Sequence, residues 1–163
     1  MITIRIGIGY DVHKLKENYK LILGGILIPH EKGLVAHSDG DCLIHAIIDS
    51  LLGAAGLYDI GSYFPDNDQK YKNINSLILL DKAYALLNKE GYIVSNIDSV
   101  IICERPKIKP YIDLMKKNIS KVLHIPTTSI GIKATTEEKL GFTGREEGVA
   151  CEAVCIIKKI GSY

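Results

Sequence analysis

Residues 2–13 read ITIRIGIGYDVH, an alternation of apolar residues with polar residues or glycine in a period of two. That period marks a β-strand and places β structure at the start of the chain. Residues 21–28, LILGGILI, read as a hairpin turning at Gly24 and Gly25. Beyond the loop 29–37, the run SDGDCLIHAIIDSLLGAAG changes to a helical period carried by Ile44, Ile47, Ile48, Leu51 and Leu52 and stopped by Gly56. Ser38 is its expected N-cap, with Asp41 three places on as the capping-box partner. A polar loop, LYDIGSYFPDNDQKYK, leads to a second helix over 73–90 that ends at Gly91. Then come a strand over 92–103, a turn punctuated by Pro106 and Pro110, a third helix over 111–124 and a strand over 129–135. A short turn or helix at TTEEKLG precedes the closing strand GVACEAVCIIKK. Grouped strands followed by mixed elements predict an α+β protein, a small mixed β-sheet with helices packed on one face, in a single domain over 1–163.

The chain of 163 residues is long enough to bury roughly 70% of the surface its unfolded form exposes, and too short for a second core. Hydrophobic residues at 47% and charged residues at 24% exclude a disordered chain. Lys and Arg number 20 against 19 Asp and Glu, so the chain lacks the summed positive field that draws proteins onto nucleic acid or anionic membranes. Any anion site must be local. No run reaches the roughly 18 apolar residues of a spanning helix. Strand alternation begins almost at Met1 and leaves no room for a leader, so a cytoplasmic location is expected unless a plastid-type leader has been removed. Cys42, Cys103, Cys151 and Cys155 form no CxxC pair. Strand residues four apart lie about 13 Å from each other, beyond disulfide reach, and all four read as reduced packing thiols.

Asp11 and His13 stand two apart on the first strand, so both side chains leave the same face and can share one ligand. The same pair can simply close a strand and solvate its end. His45 sits at the edge of a helix with an apolar face, a place that also suits a core or boundary histidine. Together the three make one carboxylate and two imidazoles, a ligand set that leaves the fourth tetrahedral position open and suits zinc best. Asp49, one turn after His45, either hydrogen-bonds that imidazole or is a solvated helix residue. His37 and Ser38 fall at the expected helix start, where backbone N–H groups and the helix dipole can receive a phosphate; a capping serine after a surface histidine explains them equally. Thr135, Thr136, Glu137 and Glu138 form a second anion-friendly turn, in which Glu138 closes a capping box or reaches a Mg²⁺ shared with phosphate oxygens. Asp59, Ile60 and Gly61, and Phe64, Pro65, Asp66, Asn67 and Asp68, offer acceptors for the hydroxyls of a polyol, or ordinary turn chemistry. Residues 103–109, CERPKIK, form a basic loop after a strand end.

With DVH, AHSDGDCLIHAIIDSLLGAAGLYDIGSYFPDND and KATTEEKLGFTGREEGVACEAV in order along the chain, the sequence resembles the 2-C-methyl-D-erythritol 2,4-cyclodiphosphate synthases of the non-mevalonate isoprenoid pathway. AHSDGD, DIGxxFPD and ATTxEKLGFTGR carry the specificity. The resemblance implies a lyase that converts 4-diphosphocytidyl-2-C-methyl-D-erythritol 2-phosphate to the 2,4-cyclodiphosphate and releases CMP. The substrate's own 2-phosphate would attack the β-phosphorus, which accounts for the missing nucleophile motif. On the same footing Asp11, His13 and His45 would hold one Zn²⁺ per site and meet the substrate's diphosphate. His37 and Thr136 would stabilise the transition state beside Ser38 and Thr135, and Glu138, next to Glu137, would stand on the Mg²⁺ side. Asp59 to Gly61 and Phe64 to Asp68 would line the methylerythritol pocket. Cys103, Glu104, Arg105, Pro106, Lys107, Ile108 and Lys109 would receive cytidine, largely through backbone atoms, and Phe142 and Arg145 would complete the diphosphate end. Glu104 and Arg105 stand where such proteins often carry uncharged residues, and Ser50 replaces a common alanine. The resemblance also implies a homotrimer with sites between adjacent subunits around an apolar channel. A non-catalytic trimeric module that binds a metal and a phosphorylated ligand is the alternative, and a phosphohydrolase would have only His37 or Asp49 as its base.

Overall fold

In the computed structural model, which describes residues 3–159, the opening alternation becomes β1 (Ile4–Glu17). Ile2 and the tail beyond 159 lie outside the described residues. The strand runs past Asp11 and His13, so these two residues do not close it: β7 (Gly148–Lys159) pairs with β1 from Ile4↔Lys158 to Lys14↔Gly148. β4 (Lys32–Leu34) then pairs with the remainder from Leu15 to Glu17. With β5 (Tyr92–Ile102) and β6 (Ile130–Thr135) the sheet has the order β4-β1-β7-β5-β6, and all its pairings are antiparallel except β5 with β6. That parallel pair is joined across α4 (Ile112–Leu123), as a crossover connection requires. The LILGGILI stretch forms the separate hairpin of β2 (Leu21–Leu23) and β3 (Ile26–Ile28).

The helix α1 (Cys42–Ala54) lies on the sheet face that carries the odd-numbered residues of β1, and α3 (Ser76–Lys89) packs against both α1 and β5. Between the sheet and α3, α1 buries Leu43, Ile44, Ile47, Ile48, Leu51 and Leu52 completely instead of showing one polar face. Its approach to β1 is closer than any side chain would allow. A Cβ on Gly9 would fall 2.0 Å from the Ala46 carbonyl oxygen, and one on Gly7 would fall 1.9 Å from that of Ser50. The Ser50 hydroxyl turns back to the Ile47 carbonyl at 2.7 Å, so its burial leaves no donor unpaired. The opposite face of the sheet carries a bare apolar strip along β1, with Ile6 70% and Ile8 71% exposed beside Ile4, Tyr10, Val12 and Val154.

The helix starts later than the sequence suggests. Asp41, not Ser38, is the N-cap: its carboxylate accepts from Ile44 N at 3.1 Å and also from Gly24 N at 2.9 Å and Gly25 N at 2.6 Å. The hairpin turn thus supplies two further donors that make Asp41 the better cap, while burial pushes its carboxyl up to about 6. The expected capping box at Thr135 to Glu138 also does not form. Glu138 and Lys139 take left-handed backbone angles, and the short helix α5 (Gly141–Gly144) begins only after Leu140. The polar loop before α3 contains a one-turn helix, α2 (Ile60–Tyr63), and a 3-10 turn at Gln69–Tyr71. All four cysteines are free and buried. Among the described residues no helix is long and apolar enough to cross a membrane.

Because the Gly9 contact is backbone against backbone, Gly9→Ala must push α1 off the strand. We expect a loss of about 1–3 kcal/mol in denaturant unfolding, the usual cost of overpacking; an unchanged midpoint would contradict this reading of the contact.

Candidate metal centre and adjoining cavities

Gly7, Gly9, Asp11 and His13 share one face of β1, and α1 lies against that face with its N-terminal turn toward Asp11. The Cys42 thiol donates to the Asp11 carbonyl at 3.1 Å, and His45 stands one turn further on. Its Nδ1 lies 3.1 Å from Asp11 Oδ2 and 3.0 Å from His13 Nε2, and the latter is 2.9 Å from the same carboxylate oxygen. Ligand atoms bonded at about 2.0–2.1 Å to a tetrahedral zinc lie about 3.3 Å apart, so this triangle accepts such an ion after a small expansion. Two imidazole nitrogens and a carboxylate oxygen with lone pairs converging on one point are the donor set a divalent cation satisfies. Burial disfavours ionised Asp11, yet hydrogen bonds to His13 and His45 hold its carboxyl well below the usual range. Burial likewise opposes charge on His45, and Asp11 outweighs it, lifting the imidazole above its ordinary value. His45 is therefore a buried histidine whose ring belongs to a cluster with Asp11 and His13.

The other ring nitrogen of His45 faces Ser76 Oγ at 2.9 Å and Ser38 Oγ at 3.2 Å. Asp49 takes neither role considered for it. Its Oδ1 accepts from Ile60 N at 2.7 Å and holds the start of α2, and burial raises its carboxyl.

A cavity of about 510 Å³ opens from the triangle. Asp11, His13 and His45 line it together with His37, Ser38, Ile60, Gly61, Phe64, Pro65, Asp66 and Asn67, so residues scattered over five elements and loops meet in one space. His37 and Ser38 do not stand at a helix N-terminus, because α1 begins at Cys42; they reach the cavity from a loop. The His37 ring is oriented by donation from Nε2 to the Asp68 carbonyl at 3.1 Å. Asp59 and Asp68 do not line the cavity, since their carboxylates cap α2 and the 3-10 turn. Ala36, Tyr71 and Leu79 line it without having been expected. Tyr71 could have been noticed as an aromatic at the end of the polar loop; Ala36 and Leu79 carry no such signal.

A second cavity of about 200 Å³ is lined by Cys103, Glu104, Pro106, Lys107, Ile108, Lys109, Ala134, Thr135 and Thr136. Parallel pairing of β5 with β6 ends both strands together, with Cys103 N donating to the Thr135 carbonyl at 3.0 Å, and so brings the CERPKIK loop to the two threonines. Arg105 turns away from this cavity. Its guanidinium binds Glu146 through Nε at 2.9 Å and Nη2 at 2.8 Å, and Glu31 at 2.7 Å. Glu137 accepts from the Thr143 hydroxyl and Arg145 pairs with Glu147, so the structure leaves these two engaged locally. Glu137, Glu138, Phe142 and Arg145 line neither cavity, and the two cavities share no residue.

The YgbB family model matches residues 4–158. A 2-C-methyl-D-erythritol 2,4-cyclodiphosphate synthase of Clostridium botulinum is 59% identical over 154 residues, 94% of this chain and 99% of that protein. A synthase of the same description from Clostridium acetobutylicum is 60% identical over the same shares. Among solved structures, the bifunctional IspDF of Campylobacter jejuni superposes with a TM-score of 0.94 at 44% identity over 98% of this chain, which spans 43% of that longer one. A CDP complex of IspF from Plasmodium falciparum gives 0.85 at 40% identity and 97% coverage of both chains.

The triangle predicts that His45→Ala loses binding of a divalent cation, read with zinc as the probe by metal analysis after gel filtration, while circular dichroism stays that of the folded protein. Retention of one equivalent of zinc by this variant would show that the ion is held elsewhere.

Proposed function

The chain belongs to the YgbB family, the 2-C-methyl-D-erythritol 2,4-cyclodiphosphate synthases, and we propose that this member converts 4-diphosphocytidyl-2-C-methyl-D-erythritol 2-phosphate to 2-C-methyl-D-erythritol 2,4-cyclodiphosphate with release of CMP, by metal-assisted intramolecular phosphoryl transfer. The observation that carries the reading is the Asp11, His13 and His45 triangle opening onto a cavity of about 510 Å³. Those three residues would hold Zn²⁺, which would supply Lewis acidity toward phosphoryl oxygens.

The protein need not supply a nucleophile, and its cysteines are not poised to act as one. Burial raises all four thiols, Cys42 well above its ordinary value and Cys103 to about 12, and so leaves them protonated. The reaction needs none, because the attacking oxygen belongs to the substrate's 2-phosphate and the protein's work is alignment and charge stabilisation. His37, its ring fixed by the Asp68 carbonyl, faces the cavity and stabilises the transferring phosphoryl group from the metal side. Ile60, Gly61 and Phe64 to Asn67 enclose the methylerythritol unit. The second cavity takes cytidine at the loop 103–109, and Thr136 with Thr135 stabilises the phosphates there. Glu138, exposed on its left-handed turn two residues on, would be the residue to hold a Mg²⁺, which would neutralise phosphate charge.

One substrate carries both a nucleotide end and a methylerythritol end, whereas the two cavities share no residue within a chain. A homotrimer that joins the metal cavity of one subunit to the Thr136 cavity of the next resolves this. Its support is the bare strip of Ile4, Ile6, Ile8, Tyr10, Val12 and Val154, larger than isolated surface apolar residues would make.

The test is ³¹P nuclear magnetic resonance of the purified protein with Zn²⁺, Mg²⁺ and the proposed substrate. A coupled pair of cyclodiphosphate resonances appearing together with CMP is expected. Inorganic phosphate in place of the pair would make the protein a hydrolase, and unchanged substrate with metal-replete protein would make it a binding module; either result overturns the proposal.

A further inference from the structure

We infer that Ser76 and Asp39 are positioning residues for the metal ligand His45, fixing which of its nitrogens carries the proton; the inference rests on the metal reading above. A neutral imidazole has one proton, and a nitrogen that binds a cation must present its lone pair. His45 Nδ1 is the nitrogen that faces Asp11 and His13, so when a cation is bound there the proton resides on Nε2 and needs an acceptor. Ser76 Oγ lies 2.9 Å away, fully buried at the first residue of α3.

A serine hydroxyl can donate or accept, and what settles its direction here is Asp39. Ser76 Oγ lies 2.5 Å from Asp39 Oδ1, and an ionised carboxylate only accepts, so the hydroxyl proton is committed to Asp39 and the oxygen is left to accept from His45. The carboxylate is itself fixed, because Oδ2 accepts from Ser76 N at 2.9 Å and Oδ1 accepts from Asp41 N at 3.1 Å. The chain of donation therefore runs one way, from His45 Nε2 through Ser76 to Asp39. Ser38 Oγ, at 3.2 Å, also approaches Nε2, but it accepts from Gly40 N at 3.3 Å and no carboxylate commits its proton, so it imposes no direction. The result is a carboxylate acting on a metal-bound imidazole through an intervening hydroxyl, which raises the basicity of Nδ1 as a directly bonded carboxylate would.

The experiment measures Zn²⁺ affinity by competition with a chromophoric chelator, and the hydrogen bond made by His45 Nε2–H through its ¹H–¹⁵N resonance and its exchange with solvent in the zinc-loaded protein. The wild type is expected to bind zinc and to show a slowly exchanging Nε2–H. Ser76→Ala is expected to lose roughly 10–100-fold in zinc affinity, the usual cost of removing such a partner, and to exchange that proton faster. Asp39→Asn, which keeps the serine, is expected to shift both readouts in the same direction by less, and it serves if Ser76→Ala does not fold. Zinc affinity equal to wild type in both variants would overturn the inference. Failure of the wild type to bind zinc would overturn the metal reading instead, and rapid exchange of Nε2–H in a wild type that does bind zinc would overturn the relay alone.

Discussion

The backbone of α1 rests directly on the backbone of β1, and the site exists because of that contact. Gly9 meets Ala46 and Gly7 meets Ser50, with no room for a Cβ at either place. These pairings fix a register: moving two residues toward the C-terminus of β1 means moving about one turn toward the N-terminus of α1. Two residues past Gly9 is Asp11, and the turn of α1 that meets it carries Cys42 and His45. Asp41 locks the same end by tying the helix start to the β2–β3 turn. The distances of about 3 Å among Asp11, His13 and His45 thus follow from a strand period of two, a helical turn and a pair of glycines.

Much of this was legible in the sequence, for identifiable reasons. The period changes located the three longer helices and every strand except β4, which lies in the stretch 29–37 read as a loop, and the DVH motif with a histidine on the following helix gave the candidate ligand set. What the sequence hid depends on contacts between distant segments. Ser38 and Asp41 are both good caps on local grounds, and only the Gly24 and Gly25 donors decide between them. Asp49 is as well spaced as any residue to support His45, but the chain folds Ile60 onto it, and Ser76 arrives from another helix. The opening alternation identifies a strand without saying which face is packed. Here the glycine face goes inward, where α1 approaches too closely for any side chain at Gly7 or Gly9, and the isoleucine face stays bare.

That inversion links the site to assembly. The strand whose front carries Asp11 and His13 presents Ile4, Ile6, Ile8, Tyr10 and Val12 on its back, so a neighbour packing against the back of β1 bears on the element that holds two of the three ligands. In the proposed trimer the same strand serves both purposes. The near-neutral net charge fits this economy, because charge is concentrated in small clusters: Asp11 with two histidines, and Arg105 with Glu31 and Glu146 away from the second cavity.

The central claim is that the strand and helix contact builds a three-ligand metal site with one position left open. Zinc K-edge X-ray absorption of the loaded protein tests it most directly. The account predicts a first shell of nitrogen and oxygen only, at about 2.0–2.1 Å, containing two imidazoles and one exchangeable light atom. Sulfur at about 2.3 Å, which would have to come from Cys42 or another buried thiol, or a third imidazole in place of the exchangeable atom, would contradict it.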